Sequence, residues 1–313
     1  MTSQHPSPSG PPTGAVADLP VAATVVASFA SVFGQIGLVA QAAKGAFVML
    51  LAASLISLAL PNSGLVNFFM ILVSLAATSH FGVNWCRVML LGPQGLPTRS
   101  LGWGDVHWRF FGNGLMIFVI MIVMMLPLTV IGSFLAAILG LVRAPDQVGP
   151  GIALVFLLVF LGILYVLARL GFVFPAVAAE EGYGLGLSWK HTAGQGFRIT
   201  AALFAAGLPI AVAQLMLTVF LIQTLFGISI AELMPQLPAP GESFPPEPAP
   251  GSSPAEAPSA IAVIIFNLIS AAANFLSFAV LFSLLCIAFR TCTGWVPPQG
   301  SVPMAVPPRE DDD

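Results

Sequence analysis

Six long runs of apolar residues dominate this chain of 313 residues. They extend over residues 39–60, 65–91, 110–142, 151–179, 197–228 and 260–289. A helix needs roughly 20 mostly apolar residues to cross a hydrocarbon core of about 30 Å, and each run reaches that length. Because the hydrophobicity is continuous rather than alternating, the pattern disfavours a β-barrel. The sequence therefore predicts an all-α fold, a polytopic bundle of six transmembrane helices.

The composition supports this class of protein and excludes others. Hydrophobic residues make up 57% of the chain and charged residues 7%, against roughly 45–50% and 25% in soluble domains. So few charges cannot cover the surface of a soluble enzyme of this size. The formal net charge of −3 argues against nucleic-acid binding through basic patches. Three cysteines at unrelated spacings form neither a disulfide framework nor a CxxC pair for zinc.

The chain divides into one membrane domain and two proline-rich tails. Residues 1–20 contain no Lys or Arg and several prolines, which predicts a disordered N-terminal tail. Residues 21–289 form the membrane domain, and residues 290–313 form a proline-rich tail with an acidic end. Within the membrane domain, residues 235–258 contain nine prolines and no basic residue. We expect an extended external connection there, and a polyproline ligand is the alternative.

A short amphipathic segment precedes the first apolar run. Apolar residues recur at three- and four-residue steps from Val25 to Val39, and a polar row lies one residue earlier, from Thr24 to Gln35. This pattern predicts a helix at the membrane interface. Because it has no Lys or Arg for anionic lipids, we expect the helix to contact the bundle. A seventh span is the alternative, and the weak apolar character of the segment argues against it.

The basic residues predict how the spans are oriented. Lys and Arg are enriched on the cytoplasmic side of membrane proteins. With six spans and a cytoplasmic N-terminus, only Arg143 of the ten basic residues falls outside. The other nine are Lys44, Arg87, Arg99, Arg109, Arg169, Lys190, Arg198, Arg290 and Arg309. Both termini are therefore predicted to lie in the cytoplasm.

Polar residues inside the spans are the first candidates for a functional site. Span six carries Asn267, Asn274 and two serines at steps of three and four, span five carries Gln214, and span two carries His80. A transporter could line a substrate path with such a stripe. The other interpretation is hydrogen bonding between helices, at about 0.6 to 2 kcal/mol per contact. We favour the second, because no span contains an acid to carry a proton or a cation.

Arg169 is the charged residue whose position is most informative. If the fourth span ends just before it, Arg169 lies at the cytoplasmic edge and its side chain reaches the headgroups. If the span continues as one helix to Ala179, Arg169 lies deeper and needs polar partners such as Gln214 or Asn274. The apolar run after Arg169 favours the longer helix, with Arg169 facing the bundle.

Residues 179–198, which we term the connector, join the fourth and fifth spans. Tyr183 and Trp189 are residue types that lie at headgroup level, and Lys190 and Arg198 can face the phosphates of the cytoplasmic leaflet. The glycines of the connector interrupt the helices on either side. The pattern predicts a short interfacial element.

An ordered motif leads into and through the connector. It consists of an Arg late in a span, Pro-Ala, an acid, a small-residue turn, Ser-Trp, Thr-x-Gly and a basic residue that opens the next span. In this chain the positions are Arg169, Pro175-Ala176, Glu180 or Glu181, Gly184, Ser188-Trp189, Thr192, Gly194 or Gly196, and Arg198. The motif resembles one in a bacterial six-span inner-membrane family, the membrane domain beside some glycerophosphodiester phosphodiesterases together with its stand-alone relatives.

The resemblance covers about 30 residues sharply, and beyond them it rests on the six-span plan. It implies a multi-pass protein of the bacterial cytoplasmic (inner) membrane. It implies no chemistry for the membrane part. The phosphodiesterase activity is not carried over, because no segment of this chain can form the soluble catalytic domain.

An enzyme site would have to be built on the predicted cytoplasmic side from Asp105, His107, Glu180, Glu181 and His191. Their spacings match no known metal motif, and the chain has neither HExxH nor GxSxG. We therefore expect no enzyme and no cofactor, but a structural, assembly or regulatory membrane protein whose partners are the lipid bilayer and other membrane proteins. The alternative is a small-molecule or lipid transporter or channel that uses the polar stripe of spans five and six.

Overall fold

The computed structural model describes residues 18–60, 63–97, 101–138, 150–227 and 259–297. These residues form nine α-helices and one 3₁₀ turn, and none of them lies in a strand, so the predicted all-α class is confirmed. Residues 235–258, predicted to form an external loop, most of both tails, and Arg99, Arg143 and Arg309 lie outside the described residues.

Six segments of the described chain are long and apolar enough to cross a membrane. The helices are α1 (Val21–Gly34), α2 (Ile36–Ala59), α3 (Gly64–Leu91), α4 (Asp105–Ile138), α5 (Pro150–Leu170), α6 (Val173–Ala178), α7 (Leu185–His191), α8 (Gly196–Phe226) and α9 (Ala260–Thr293). The chain is thus a multi-pass helical bundle. Five of the six predicted spans agree with α2, α3, α4, α8 and α9 to within five residues at each end.

Serines begin two of the long helices, and glycines in the left-handed conformation end two. The side chain of Ser63 accepts a hydrogen bond from the amide of Val66 at 3.3 Å at the start of α3, and Ser259 caps α9 in the same way. At the other ends, Gly227 and Gly294 adopt left-handed backbone angles with φ of 68° and 64°. These residue types satisfy the free backbone groups of a helix terminus at little steric cost.

The fourth predicted span agrees with the apolar segment Leu154–Ala178, but the expectation of one continuous helix is wrong. α5 ends at Leu170, and the separate short helix α6 begins at Val173. The proline ring of Pro175 would clash with the carbonyl of Gly171 if α5 continued, and proline has no N–H to bond it. That carbonyl instead accepts from the amide of Phe174 at 3.1 Å. The helix is therefore interrupted at Gly171, which precedes the proline by one helical turn.

Helix α1 packs on the protein with its polar row. Thr24, Ser28 and Val32 are buried against α8 and α9, whereas Phe33 is 60% exposed. The expected contact with the bundle is confirmed. With 14 residues, α1 is shorter than the roughly 20 needed to cross a membrane, and Gln35 separates it from α2 with non-helical backbone angles.

The buried core occupies one end of the bundle, which we term the connector end. It comprises α6, α7, the C-terminal halves of α3, α5 and α9, and the N-terminal parts of α4 and α8. Its fully buried side chains include Trp85, Phe172, Ile199 and Leu284. The opposite halves of the same helices, the far end, have large exposed side chains, among them Leu65, Phe134, Phe156, Met216 and Ile261.

Five long helices form a ring. α3 contacts α4, α4 contacts α5, α5 contacts α8, α8 contacts α9, and α9 contacts α3. α2 packs outside the ring on α3 and α9. α6 closes the connector end, because it contacts α3, α4 and α9 and is buried over nearly all its length.

Candidate functional site

The side chain of Arg169 is buried where α5 meets the connector. It is 8% exposed. Its Nε donates to Oγ1 of Thr192 at 2.9 Å, and Nη1 donates to the hydroxyl of Tyr165 at 3.0 Å. Nη2 donates to the backbone carbonyl of Trp189, whose ring centroid lies 4.2 Å from the guanidinium carbon. Arg169 therefore faces the protein, and the connector supplies most of its partners in place of the expected Gln214 and Asn274.

The backbone of Arg169 holds the connector as well. At the end of a helix the last carbonyls have no partner within the helix. Oγ of Ser188 donates to the carbonyl of Arg169 at 2.8 Å, and Oγ1 of Thr192 lies 3.3 Å from the same oxygen. Ser188 and Thr192 are fully buried. Two hydroxyl groups thus dock α7 against the end of α5.

Gly196 allows this close approach at the start of α8. A Cβ atom at this position would lie 2.7 Å from Cδ of Arg169 and 3.0 Å from Cε2 of Tyr165. Contacts this short would force the two side chains to move. The glycine is therefore part of the Arg169 cluster, which we define as Tyr165, Arg169, Ser188, Trp189, Thr192 and Gly196.

Polar contacts of Glu180 and Glu181 join the start of the connector to α3, to α4 and to the segment after α9. Arg87 of α3 pairs with Glu180 at 2.7 Å, and Arg109 of α4 donates to the backbone carbonyl of Glu181 at 3.0 Å. Nε1 of Trp295, just after α9, donates to the Glu181 carboxylate at 3.0 Å. Glu180 has a left-handed backbone, with φ of 63°, which turns the chain away from α6.

The last part of the connector binds the segment before α1. Arg198 pairs with Asp18 at 2.9 Å, and the Gln195 amide donates to the other carboxylate oxygen of Asp18 at 2.9 Å. The hydrogen bond from Gln195 and the charge of Arg198 hold the pKa of Asp18 below its usual value. Leu19 beside them is buried.

The groups that an enzyme site would need lie in two separate places. His191 is hydrogen-bonded to the hydroxyl of Tyr183, whereas the ring of His107 stacks on His80 with centroids 5.1 Å apart. Burial, reinforced by Lys190, lowers the pKa of His191, and burial also raises the pKa of Tyr183. Within the described ranges, three or more potential metal ligands are nowhere grouped together.

His80 belongs to a buried polar cluster between α3 and α4. It is 1% exposed, and its Nδ1 lies 3.3 Å from the amide nitrogen of Asn84. Trp103 contacts both His80 and His107. Among the described atoms, Nε2 of both histidines and Nε1 of Trp103 have no hydrogen-bond partner. The pairing of His80 with His107 was not predicted, because nothing in the sequence relates residues on two different helices.

The polar stripe of spans five and six is bonded across the two helices. The Gln214 amide of α8 donates to Oδ1 of Asn274 at 3.1 Å and lies 2.7 Å from Oγ of Ser277 on α9. Asn267 lies two turns further toward the far end and is half-buried. Gln214 and Asn274 thus come together with each other and not with Arg169.

An apolar cavity of about 480 Å³ lies inside the ring of five helices. Phenylalanines from all of them except α3 line it: Phe110 of α4, Phe160 of α5, Phe204 of α8, and Phe278 and Phe282 of α9. Phe174 of α6 lines the side toward the connector end. Gln214 and Asn274 lie one turn beyond Ala211 and Phe278 of its lining, toward the far end. The sequence did not reveal this cavity, because it depends on how five separate segments are arranged.

Comparison of the chain with protein-family models, with curated proteins and with solved structures found no match. The geometry of these clusters and of the cavity therefore carries the functional argument.

Proposed function

We propose that this chain is a non-catalytic membrane protein of structural or assembly type. The observation that supports this best is the Arg169 cluster, where a buried guanidinium holds the connector on the bundle instead of standing open to a substrate. Glu180 and Glu181 likewise bond within the chain. A connector held this firmly offers a fixed surface to a partner in the membrane or at its edge.

Crosslinking from the connector tests the proposal. Leu187 on α7 and Val123 in the far half of α4 are both exposed, at 42% and 61%. A photoreactive amino acid at position 187 is expected to give one discrete protein adduct in intact cells, and the same group at position 123 only lipid adducts. Lipid adducts alone at both positions would contradict an assembly role.

We further propose that the protein lies in the bacterial cytoplasmic membrane with both termini in the cytoplasm. The distribution of basic residues supports this orientation, since Arg87, Arg109, Lys190 and Arg198 all lie at the connector end. A single cysteine introduced into residues 235–258 should react with an impermeant maleimide from the periplasmic side only. Reaction from the cytoplasmic side would reverse the assignment.

A transporter or channel is the second candidate. The observation in its favour is that Asn274 is exposed although it lies in the middle of α9, close to the cavity. If the stripe lines a path, Asn274→Leu should abolish solute flux in a liposome swelling assay while the protein still inserts. If the stripe holds helices together, the same change should destabilise the protein by about 1 kcal/mol and alter no flux.

A further inference from the structure

The apolar cavity inside the ring of five helices plays no part in the proposed function. We propose that it holds an acyl chain of a membrane phospholipid. This inference is independent of the structural role of the connector, because it rests on the lining of the cavity and on its place within the membrane-spanning segments.

The chemistry of the lining excludes water as a stable occupant. Among the lining residues, only Thr78 and Ser79 have polar side chains. The hydroxyl of Ser79 is already bonded to the carbonyl of Leu75 at 2.8 Å. A buried water needs two to four polar partners, and the phenylalanine rings offer none. The occupant must therefore be apolar.

The size of the cavity favours an occupant. Its volume of about 480 Å³ falls in the range of ligand pockets, roughly 300–1,000 Å³. An empty space of this size would deprive the lining atoms of their dispersion contacts. The apolar groups that surround a membrane protein at the highest concentration are lipid acyl chains.

Two of the three glycines that line the cavity have free volume beside them. A Cβ atom at Gly207 would meet no other atom within 4 Å, and one at Gly114 would have Phe174 and Leu75 as its nearest neighbours, at 3.8 and 3.9 Å. The helices therefore leave unfilled space beside Gly114 and Gly207. A larger side chain at position 207 would project into free volume.

The two ends of the cavity differ in access. Toward the connector end it meets the buried helix α6 through Phe174. Toward the far end, every residue of α8 from Gly207 to Phe220 is at least partly exposed. A lipid acyl chain can thus enter the cavity from the bilayer, and its end would lie against α6.

Photolabelling tests the proposal. The protein is reconstituted into vesicles of phosphatidylethanolamine and phosphatidylglycerol that contain a trace of phospholipid with a diazirine in one acyl chain. After irradiation, adducts are mapped by peptide mass spectrometry. We expect adducts on Leu203 and Phe282, which line the cavity and are each 8% exposed, so that lipid around the outside of the bundle cannot reach them.

Two matched substitutions make the test specific. Gly207→Phe fills the cavity and should reduce these adducts at least fivefold, while adducts on the outward-facing Val123 persist. Gly162→Phe is the control. A Cβ atom at Gly162 also meets no atom within 4 Å, but the position does not line the cavity, so this change should leave all adducts unchanged. If Gly207→Phe does not accumulate as folded protein, Ala211→Phe on the same face of α8 replaces it.

Three results would overturn the proposal. The first is labelling confined to outward-facing residues such as Val123. The second is labelling of Leu203 and Phe282 that persists undiminished in the folded cavity-filling variant. The third is labelling of these two residues by a diazirine-bearing free fatty acid but not by the phospholipid, which would assign the cavity to another ligand.

Discussion

The same five helices are packed tightly at the connector end and loosely at the far end. Along α9, nearly every residue from Ala279 to Phe289 is buried, whereas the preceding residues from Ile261 to Asn274 are mostly half-buried or exposed. In water this asymmetry would be costly, because the far end exposes large apolar side chains. In a bilayer the hydrocarbon chains cover them, so helices gain little from packing apolar surface against apolar surface.

The polar groups explain why the packing is concentrated at the connector end. Trp85 donates to the carbonyl of Ala279 and lies close to the hydroxyl of Ser283, each at 2.9 Å, and Arg169 is satisfied by the connector. Buried polar groups need partners with defined geometry, and such geometry requires fixed helices. Among the residues that the structure describes, the far end has fewer buried polar groups than the connector end. Polar pairing, more than hydrophobicity, thus accounts for where the helices of this bundle pack tightly.

The largest effect is expected from removing the guanidinium of Arg169. Arg169→Leu abolishes three hydrogen bonds in a buried site and should lower the free energy of unfolding by about 4 kcal/mol, as for other buried charged partners. Arg198→Leu is the matched control. Its salt bridge with Asp18 is exposed to solvent, so we expect a much smaller loss. Equal losses, measured by SDS titration in detergent, would contradict the special role of Arg169.

A matched pair of leucines compares the packing of the two ends. Leu284→Ala removes a fully buried side chain from the connector end and should cost about 3 kcal/mol. Leu215→Ala at the far end changes a side chain that is 65% exposed, and we expect almost no change. Both variants are to be measured in the same detergent. A cost at position 215 as large as that at position 284 would show that the far end is packed too.

A smaller effect is expected from one methyl group in the Arg169 cluster. Gly196→Ala places a Cβ atom 2.7 Å from Cδ of Arg169 and should destabilise the protein by about 2 kcal/mol. Gly186→Ala in α7 adds the same methyl group where it meets no atom within 4 Å, and should stabilise the protein by about 0.5 kcal/mol. Thermal melting of the two variants should therefore shift in opposite directions. A shift in the same direction would show that Gly196 is not closely packed.

The smallest effect concerns pH. The pKa of His191 lies below its ordinary value of 6.5, so the unfolded chain binds a proton more readily than the folded one. Stability is then lost as the pH falls from about 6.5 toward the folded pKa. Melting temperatures at pH 7.5 and 5.5 should differ more in the wild type than in His191→Gln. Other titrating groups act in both proteins, so equal differences would exclude a contribution from His191.

Much of the fold could be predicted from the sequence, because in a membrane protein the length of each apolar run determines where a spanning helix lies. The ends of α3 and α8 follow from the lengths of their apolar runs, and Pro93 further marks the end of α3. The break in α5 could not be predicted so directly. The break depends on Pro175. It also coincides with Gly171, where α9 packs so closely that a Cβ atom would lie 3.0 Å from Leu285.

The candidate site could be predicted only in part. Arg169, Ser188, Trp189 and Arg198 were singled out by the motif of the connector, but their pairing was not. The expected partners of Arg169, Gln214 and Asn274, lie on other spans, whereas its partner Thr192 lies only 23 residues away along the chain. The turn at Glu180 brings α7 back onto α5, and such a reversal has no signature in hydrophobicity.

The three native cysteines give the most direct test of the packing difference. Cys86, Cys286 and Cys292 all lie at the connector end and are buried. In native protein solubilised in detergent, a membrane-soluble maleimide should leave these three thiols unmodified. In the variant Leu215→Cys, only the introduced cysteine should react. Intact mass spectrometry counts the modified thiols. Native thiols that react as fast as the cysteine at position 215 would contradict the account.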